Sequence, residues 1–172
     1  MALIKSVKGI TPKFGNNCFI AENSTIVGDV ITGDNCSIWF NTVIRGDVNY
    51  IKIGNNVNIQ DAVVIHGTYQ KAPVNIGNNV SIAHNAIIHG CTIMDNVLIG
   101  MGAIIMDNSV IESNTVIAAG AIVLANTVVP ANSVFGGIPA KKLKDITNEL
   151  KLGEIERIAK NYLIYASWYE AK

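Results

Sequence analysis

Residues 99–129 read IGMGAIIMDNSVIESNTVIAAGAIVLANTVV, with an aliphatic residue at every sixth position: Ile99, Ile105, Ile111, Ile117, Val123 and Val129. Followed towards the N-terminus, the same step passes Met94, Ile88, Ile82 and Ile76, then, across an insertion, Ile65, Ile59 and Ile53. Across a second insertion it continues through Ile44, Ile38, Thr32, Ile26 and Ile20 to Phe14. Of these 19 steps, 18 begin with an apolar residue. Four residues after 17 of the starts stands a compact side chain, among them Cys18, Cys36, Ala86, Thr92 and Ala103. One residue before that position, 15 steps carry Asn, Asp or Gly, the types that tolerate left-handed backbone and turns. Neither a helical period nor strict strand alternation generates this pattern. It describes very short strands with a corner in every hexapeptide, an all-β solenoid.

The pattern resembles that of hexapeptide-repeat proteins, which implies a left-handed parallel β-helix with three hexapeptides per coil. Spacing alone leaves handedness open, since ordinary crossovers are right-handed. On that register the chain makes about six coils stacked ~4.8 Å apart. The β-helix is expected over residues 1–140. The hexapeptides stop after Phe135-Gly136-Gly137-Ile138-Pro139-Ala140-Lys141, and Ile155, Ile158, Ala159, Tyr162, Leu163, Ala166 and Tyr169 follow at helical spacing. Residues 141–172 are therefore expected to be a linker and one amphipathic C-terminal α-helix of roughly 20 residues, folded back on the solenoid.

Composition narrows the partners. The 172 residues are 49% hydrophobic, enough for a core, and the formal charge is zero with no basic stripe, so nucleic acid is an unexpected partner. The opening MALIKSVKGI lacks a secretory apolar stretch and no apolar run is long enough to span a membrane, which points to the cytoplasm. Cys18 and Cys36, 18 residues apart, should stack on adjacent coils as small core residues, although their closeness would allow a bridge. Cys91 falls at a corner two residues beyond His89.

The three histidines of the chain, His66, His84 and His89, all lie within 24 residues. With each insertion treated as a bulge, Ile44, Ile65 and Ile88 share one face in consecutive coils, and Ile38, Ile59 and Ile82 share the preceding face. Arg45, His66 and His89, each one residue beyond a start, then form one column, and Asp61 and His84 form a second on the neighbouring face. His84 is level with the gap between His66 and His89, and Asp61 with the gap between Arg45 and His66. Subunits packed around a threefold axis parallel to the solenoid would bring one chain's first column to the next chain's second. Three imidazoles would converge there, the ligand set of a catalytic zinc-type site with an open position for water. The bland alternative is polar histidines on a turn-rich edge. Arg45 and Asp61 are either a solvated pair of little value or an interface ion pair.

The run Asn41-Thr42-Val43-Ile44-Arg45-Gly46-Asp47, then Asn58-Ile59-Gln60-Asp61, His66, and Ala83-His84-Asn85-Ala86-Ile87-Ile88-His89-Gly90-Cys91 resembles the gamma-class carbonic anhydrase family. The resemblance covers essentially the whole chain. It implies a homotrimer with metal centres at the subunit interfaces, His66, His84 and His89 as ligands, and an Arg45–Asp61 ion pair. It further implies Gln60 beside the metal-bound solvent and Asp47 as the family's aspartate after the arginine. Two departures bear on turnover. Val48 stands where the best-studied type has a glutamate, and the segment from Gly67 to Asn75 lacks the acidic residue that relays protons there. Tyr162 aligns loosely with a tyrosine that some relatives bring near the metal, and core packing is its simpler role.

The expected activity is metal-dependent, reversible hydration of carbon dioxide to bicarbonate, slow for want of the acidic relay. The metal is zinc (Zn2+), with iron (Fe2+) or cobalt (Co2+) as alternatives, since three imidazoles suit several ions. Two other readings stay open. The Gly-Gly-Ile-Pro-Ala-Lys ending resembles hexapeptide acyltransferases, and the same metal site would suit a thioesterase. A trimeric metal-binding scaffold without turnover is the third.

Overall fold

Three stacks of mostly aliphatic side chains run the length of the molecule. In the computed structural model, which describes residues 1–169, Ile26, Ile44, Ile65, Ile88, Ile105 and Val123 are parallel partners in consecutive coils. A second stack joins Ile20, Ile38, Ile59, Ile82, Ile99, Ile117 and Phe135. Thr32, Ile53, Ile76, Ile93, Ile111 and Val129 form the third. The chain is thus a three-sided, left-handed parallel β-helix, with about seven turns where about six were expected. Two residues before most of these positions a compact side chain, such as Val57, Val63, Ala86, Cys91 or Ala103, fills the core beside the corner.

The corners follow from backbone chemistry. Asn35, Asn56, Asn79, Asn96, Asn108, Asn114, Asn126 and Asn132 all have φ between 55° and 58°, or at most 60° for Asn126. This is the left-handed region that asparagine enters most readily after glycine. Along one edge the corner amides also bond to one another, Asn35 to Asn56, Asn56 to Asn79 and Asn79 to Asn96 at 3.0–3.3 Å. The insertions leave the stacks intact. One is absorbed within the long strand Val43–Ile53 and the other forms a small loop closed by Thr68 and Ala72.

Two expectations about register are corrected. Ile93, not Met94, occupies the core after Ile88: Ile93 is 1% exposed and Met94 41%. The step there is one residue short because Gly90 makes the corner early, at φ 54°. Consequently Cys91, not Thr92, is the compact inward residue. Cys91 is thus buried in the core rather than at a corner, and burial pushes its thiol up to about 12.

After the last coil, Lys141–Asp145 pairs antiparallel with Ser133–Gly136, so the expected linker contains a capping strand. Thr147 then caps a continuous helical segment over 148–167, its hydroxyl accepting from the Leu150 amide at 3.2 Å, with a π-helical stretch at Lys151–Glu156. Ile155 and Ala159 are buried against the solenoid, and Trp39 meets Tyr162 and Tyr169 edge-on. Leu163, grouped with the apolar face from its spacing, is exposed instead.

The corrected register yields a differential prediction. Ile93→Ala should destabilise the protein by about 2–5 kcal/mol, and Met94→Ala by less than about 1 kcal/mol, measured by denaturant unfolding under identical conditions. Equal losses would restore Met94 to the core.

Candidate metal centre

Strand alternation turns the residue after each inward isoleucine outward. Arg45, His66 and His89 are therefore in-register partners on adjacent strands. His66 Nδ1 lies 3.2 Å from His89 Nε2. Behind them stand two carboxylates. Asp47 receives His66 Nε2 at 3.1 Å on one oxygen and Arg45 at 2.6 Å on the other. Asp107 receives His89 Nδ1 at 2.5 Å on one oxygen and the Thr68 hydroxyl on the other, also at 2.5 Å.

His84 belongs to the neighbouring face. It stacks one coil beyond Asp61, whose carbonyl accepts from the Asn85 amide, and its Nδ1 lies 2.8 Å from Asp61 Oδ2. Ala62 takes the corner after Asp61 at φ 58°, an unfavourable conformation for alanine, and Asn85 does so after His84 at φ 59°. Gln60 is buried, its amide donating to Asn58 Oδ1 at 3.0 Å. With His84, Met101, Asn161 and Tyr162 it lines a cavity of about 340 Å³ between the solenoid and the C-terminal helix. Burial pushes the Tyr162 phenol up to about 12, with Asp61 and Tyr165 adding to it, so it stays protonated at neutral pH. Tyr162 thus both packs against Trp39 and borders this cavity.

The sequence-derived residues accordingly divide into two groups. Arg45, Asp47, His66 and His89 meet in one cluster, and Gln60, Asp61 and His84 in another. Among the described residues no three His, Cys, Asp or Glu side chains of the chain converge as a metal-binding group. Arg45 and Asp61 are not paired within the chain, since Arg45 binds Asp47 and Asp61 binds His84. Sequence reasoning missed Asp107. Its signal was the 18-residue spacing from His89, roughly one coil.

The common element is the carboxylate behind each imidazole. An ionised carboxylate only accepts, so the nitrogen facing it is the N–H and the other nitrogen carries a lone pair. With both rings neutral, His66 Nδ1 and His89 Nε2 point two lone pairs at each other across 3.2 Å. That arrangement is relieved by a cation, a proton or a metal ion. Burial, assisted by Arg45 and His89, holds His66 below its ordinary value against the pull of Asp47. This favours the neutral imidazole, the form that can bind a divalent ion. Burial raises Asp47, but bonds from Arg45 and His66 outweigh it and leave its carboxyl below the usual range. The residues present fit a nitrogen-liganded divalent ion.

With this geometry established, resemblance to known proteins is informative. Residues 11–46 match the family described as "Bacterial transferase hexapeptide (six repeats)". A Geobacillus kaustophilus protein named carbonic anhydrase is 44% identical over 98% of this chain and 92% of its own length. The Arabidopsis thaliana protein named gamma carbonic anhydrase 2, mitochondrial, is 40% identical over 89% of this chain and 56% of its own. A crystal structure of a hexapeptide transferase family protein from Anaplasma phagocytophilum superposes with a TM-score of 0.93, is 38% identical and covers 98% of each chain.

Asp47 supplies a test of these electrostatics. Arg45→Ala should raise the Asp47 pKa towards its ordinary value, read from the pH titration of its side-chain carboxyl by carbon NMR. An unchanged titration would show that Arg45 does not hold the carboxylate.

Proposed function

The chain belongs to the gamma-class carbonic anhydrase family, and we propose that it hydrates carbon dioxide reversibly to bicarbonate at metal centres shared between the subunits of a homotrimer. The observation that carries this reading is the division of three carboxylate-oriented imidazoles into a pair and a single on neighbouring faces. His66 and His89 of one subunit leave a ligand position that His84 of the next would fill at matching height. The surface beside the pair supports such packing. Val43, Val64, Ile87, Ile104 and Ile122 form an in-register outward column next to the histidines, with Val64 and Ile87 each 38% exposed. A heterologous contact of one column against a different one closes into a ring under threefold rotation.

Zinc, or iron or cobalt in its place, would be held by His66, His89 and the neighbour's His84, and would supply the lowering of a water's pKa towards neutrality. The protein's own groups do the rest. Asp47, Asp61 and Asp107 orient the imidazoles. Arg45 is placed at the column end that meets the neighbour's Asp61, for an ion pair across the interface. Gln60, fixed through Asn58, orients the attacking water, and the apolar wall of the adjoining cavity admits carbon dioxide. The segment 67–75 carries no carboxylate to relay the released proton, which leaves that step to solvent buffer in this reading.

One observation favours a second reading. The cavity beside His84, about 340 Å³, is larger than carbon dioxide needs, and a similar structure is titled a hexapeptide transferase family protein. An acyl thioester is therefore the alternative substrate, hydrolysed at the same centre.

Protein purified without oxygen should be a trimer with about one metal ion per chain. It should accelerate carbon dioxide hydration, lose that activity to chelators and gain turnover with imidazole buffer concentration. A monomer retaining tightly bound metal would contradict the shared centre. A metal-loaded trimer inert to carbon dioxide but active on acyl-coenzyme A would favour the second reading.

A further inference from the structure

We propose that Asp107 is the positioning residue that makes His89 a metal ligand, and that the loop after His66 exists in part to hold it through Thr68. The proposal rests on His89 being a ligand, as inferred above. Three independent features fix this carboxylate. His89 Nδ1 contacts Asp107 Oδ1 at 2.5 Å, which leaves the lone pair on Nε2, the atom facing His66. Thr68 donates its hydroxyl to Asp107 Oδ2 at 2.5 Å across a sequence separation of 39 residues. Gly90 then provides the room: a Cβ at that position would lie 2.5 Å from Asp107 Oδ1 and 2.7 Å from the Ala72 Cβ.

Thr68 is itself held. Its amide donates to the Ala72 carbonyl at 2.9 Å, and Ala72 is fully buried. On the other side, the Asn108 amide donates to the Gly90 carbonyl at 2.7 Å, tying the turn that carries Asp107 to the corner after His89. Thr68 stands two residues after His66, so one short loop leads from one imidazole to the support of the other. The insertion that interrupts the hexapeptides thereby locks His89 from behind. Gly90, which makes the corner early and shortens that step, is the residue that admits the carboxylate.

The test uses the full chain in two states. In metal-free protein, nitrogen NMR should find His89 protonated on Nδ1, and Asp107→Ala should move the proton towards Nε2 while His66 and His84 keep their tautomers. In the metal-loaded trimer, chelator competition should show zinc affinity about 10–100-fold weaker in Asp107→Ala. Thr68→Val should weaken it less, with Thr68→Ser restoring it. Asp107→Asn, nearly isosteric, guards against misfolding: it should retain the trimer and the Nδ1 tautomer yet still bind zinc more weakly than wild type. An unchanged His89 tautomer together with unchanged zinc affinity in Asp107→Ala overturns the proposal. If the wild-type protein bound no metal, the hydratase reading would fail on that result, whereas the tautomer measurement would still decide what Asp107 does.

Discussion

Parallel strands stacked in register, one inter-strand spacing apart, are the constraint on which the rest of the molecule depends. Stacking puts like on like, so each coil must present the same kind of side chain inward, and isoleucine recurs. It also makes neighbours of residues far apart in the chain. His66 and His89 are 23 residues apart and meet ring to ring because Ile65 and Ile88 are partners in the core beneath them. Corners that accept a left-handed residue keep the stacks aligned, and the register survives both insertions, one absorbed within a long strand and one looped out.

Much of this was legible in the sequence. The six-residue return of isoleucine and the asparagines at the corners carry the solenoid, and the one-residue offset from Ile44, Ile65 and Ile88 placed Arg45, His66 and His89 in one column. The early corner at Gly90 was not legible. Ile93 and Met94 are adjacent and both apolar, so residue type could not decide which of them turns inward. Only the backbone at φ 54° makes that choice. The strand Lys141–Asp145 was missed because its five residues are all exposed and carry no inward period. Asp107 escaped for a related reason: it lies one residue beyond the column of His89, and a carboxylate in a turn reads as an ordinary solvated group. The one-coil spacing from His89 puts it nearby, but its role follows from contacts with Thr68 and His89.

The electrostatic design of the site is a set of three carboxylate–imidazole pairs. Each carboxylate decides which ring nitrogen keeps the proton, and each leaves a lone pair on the other. Arg45 stabilises the ionised Asp47, while burial disfavours the charged form of His66. With both rings neutral, two facing lone pairs 3.2 Å apart are a cost that a cation would relieve. Within one chain two of the three imidazoles meet, and the third sits on the neighbouring face with Asp61.

Subunit complementation measures most directly whether the centre is shared. Homotrimers of His84→Ala and of His66→Ala each lack one imidazole at every interface and should lose high-affinity metal. Co-refolding the two should create mixed trimers in which the first column of a His84→Ala chain meets the second column of a His66→Ala chain. All three imidazoles are present at that interface, one of the three in each mixed trimer, so metal binding and activity should return, up to about a third of wild type. No recovery, despite demonstrated mixing of the subunits, would mean that the ligands do not come from two chains and that the division of the site between the two faces has no functional meaning.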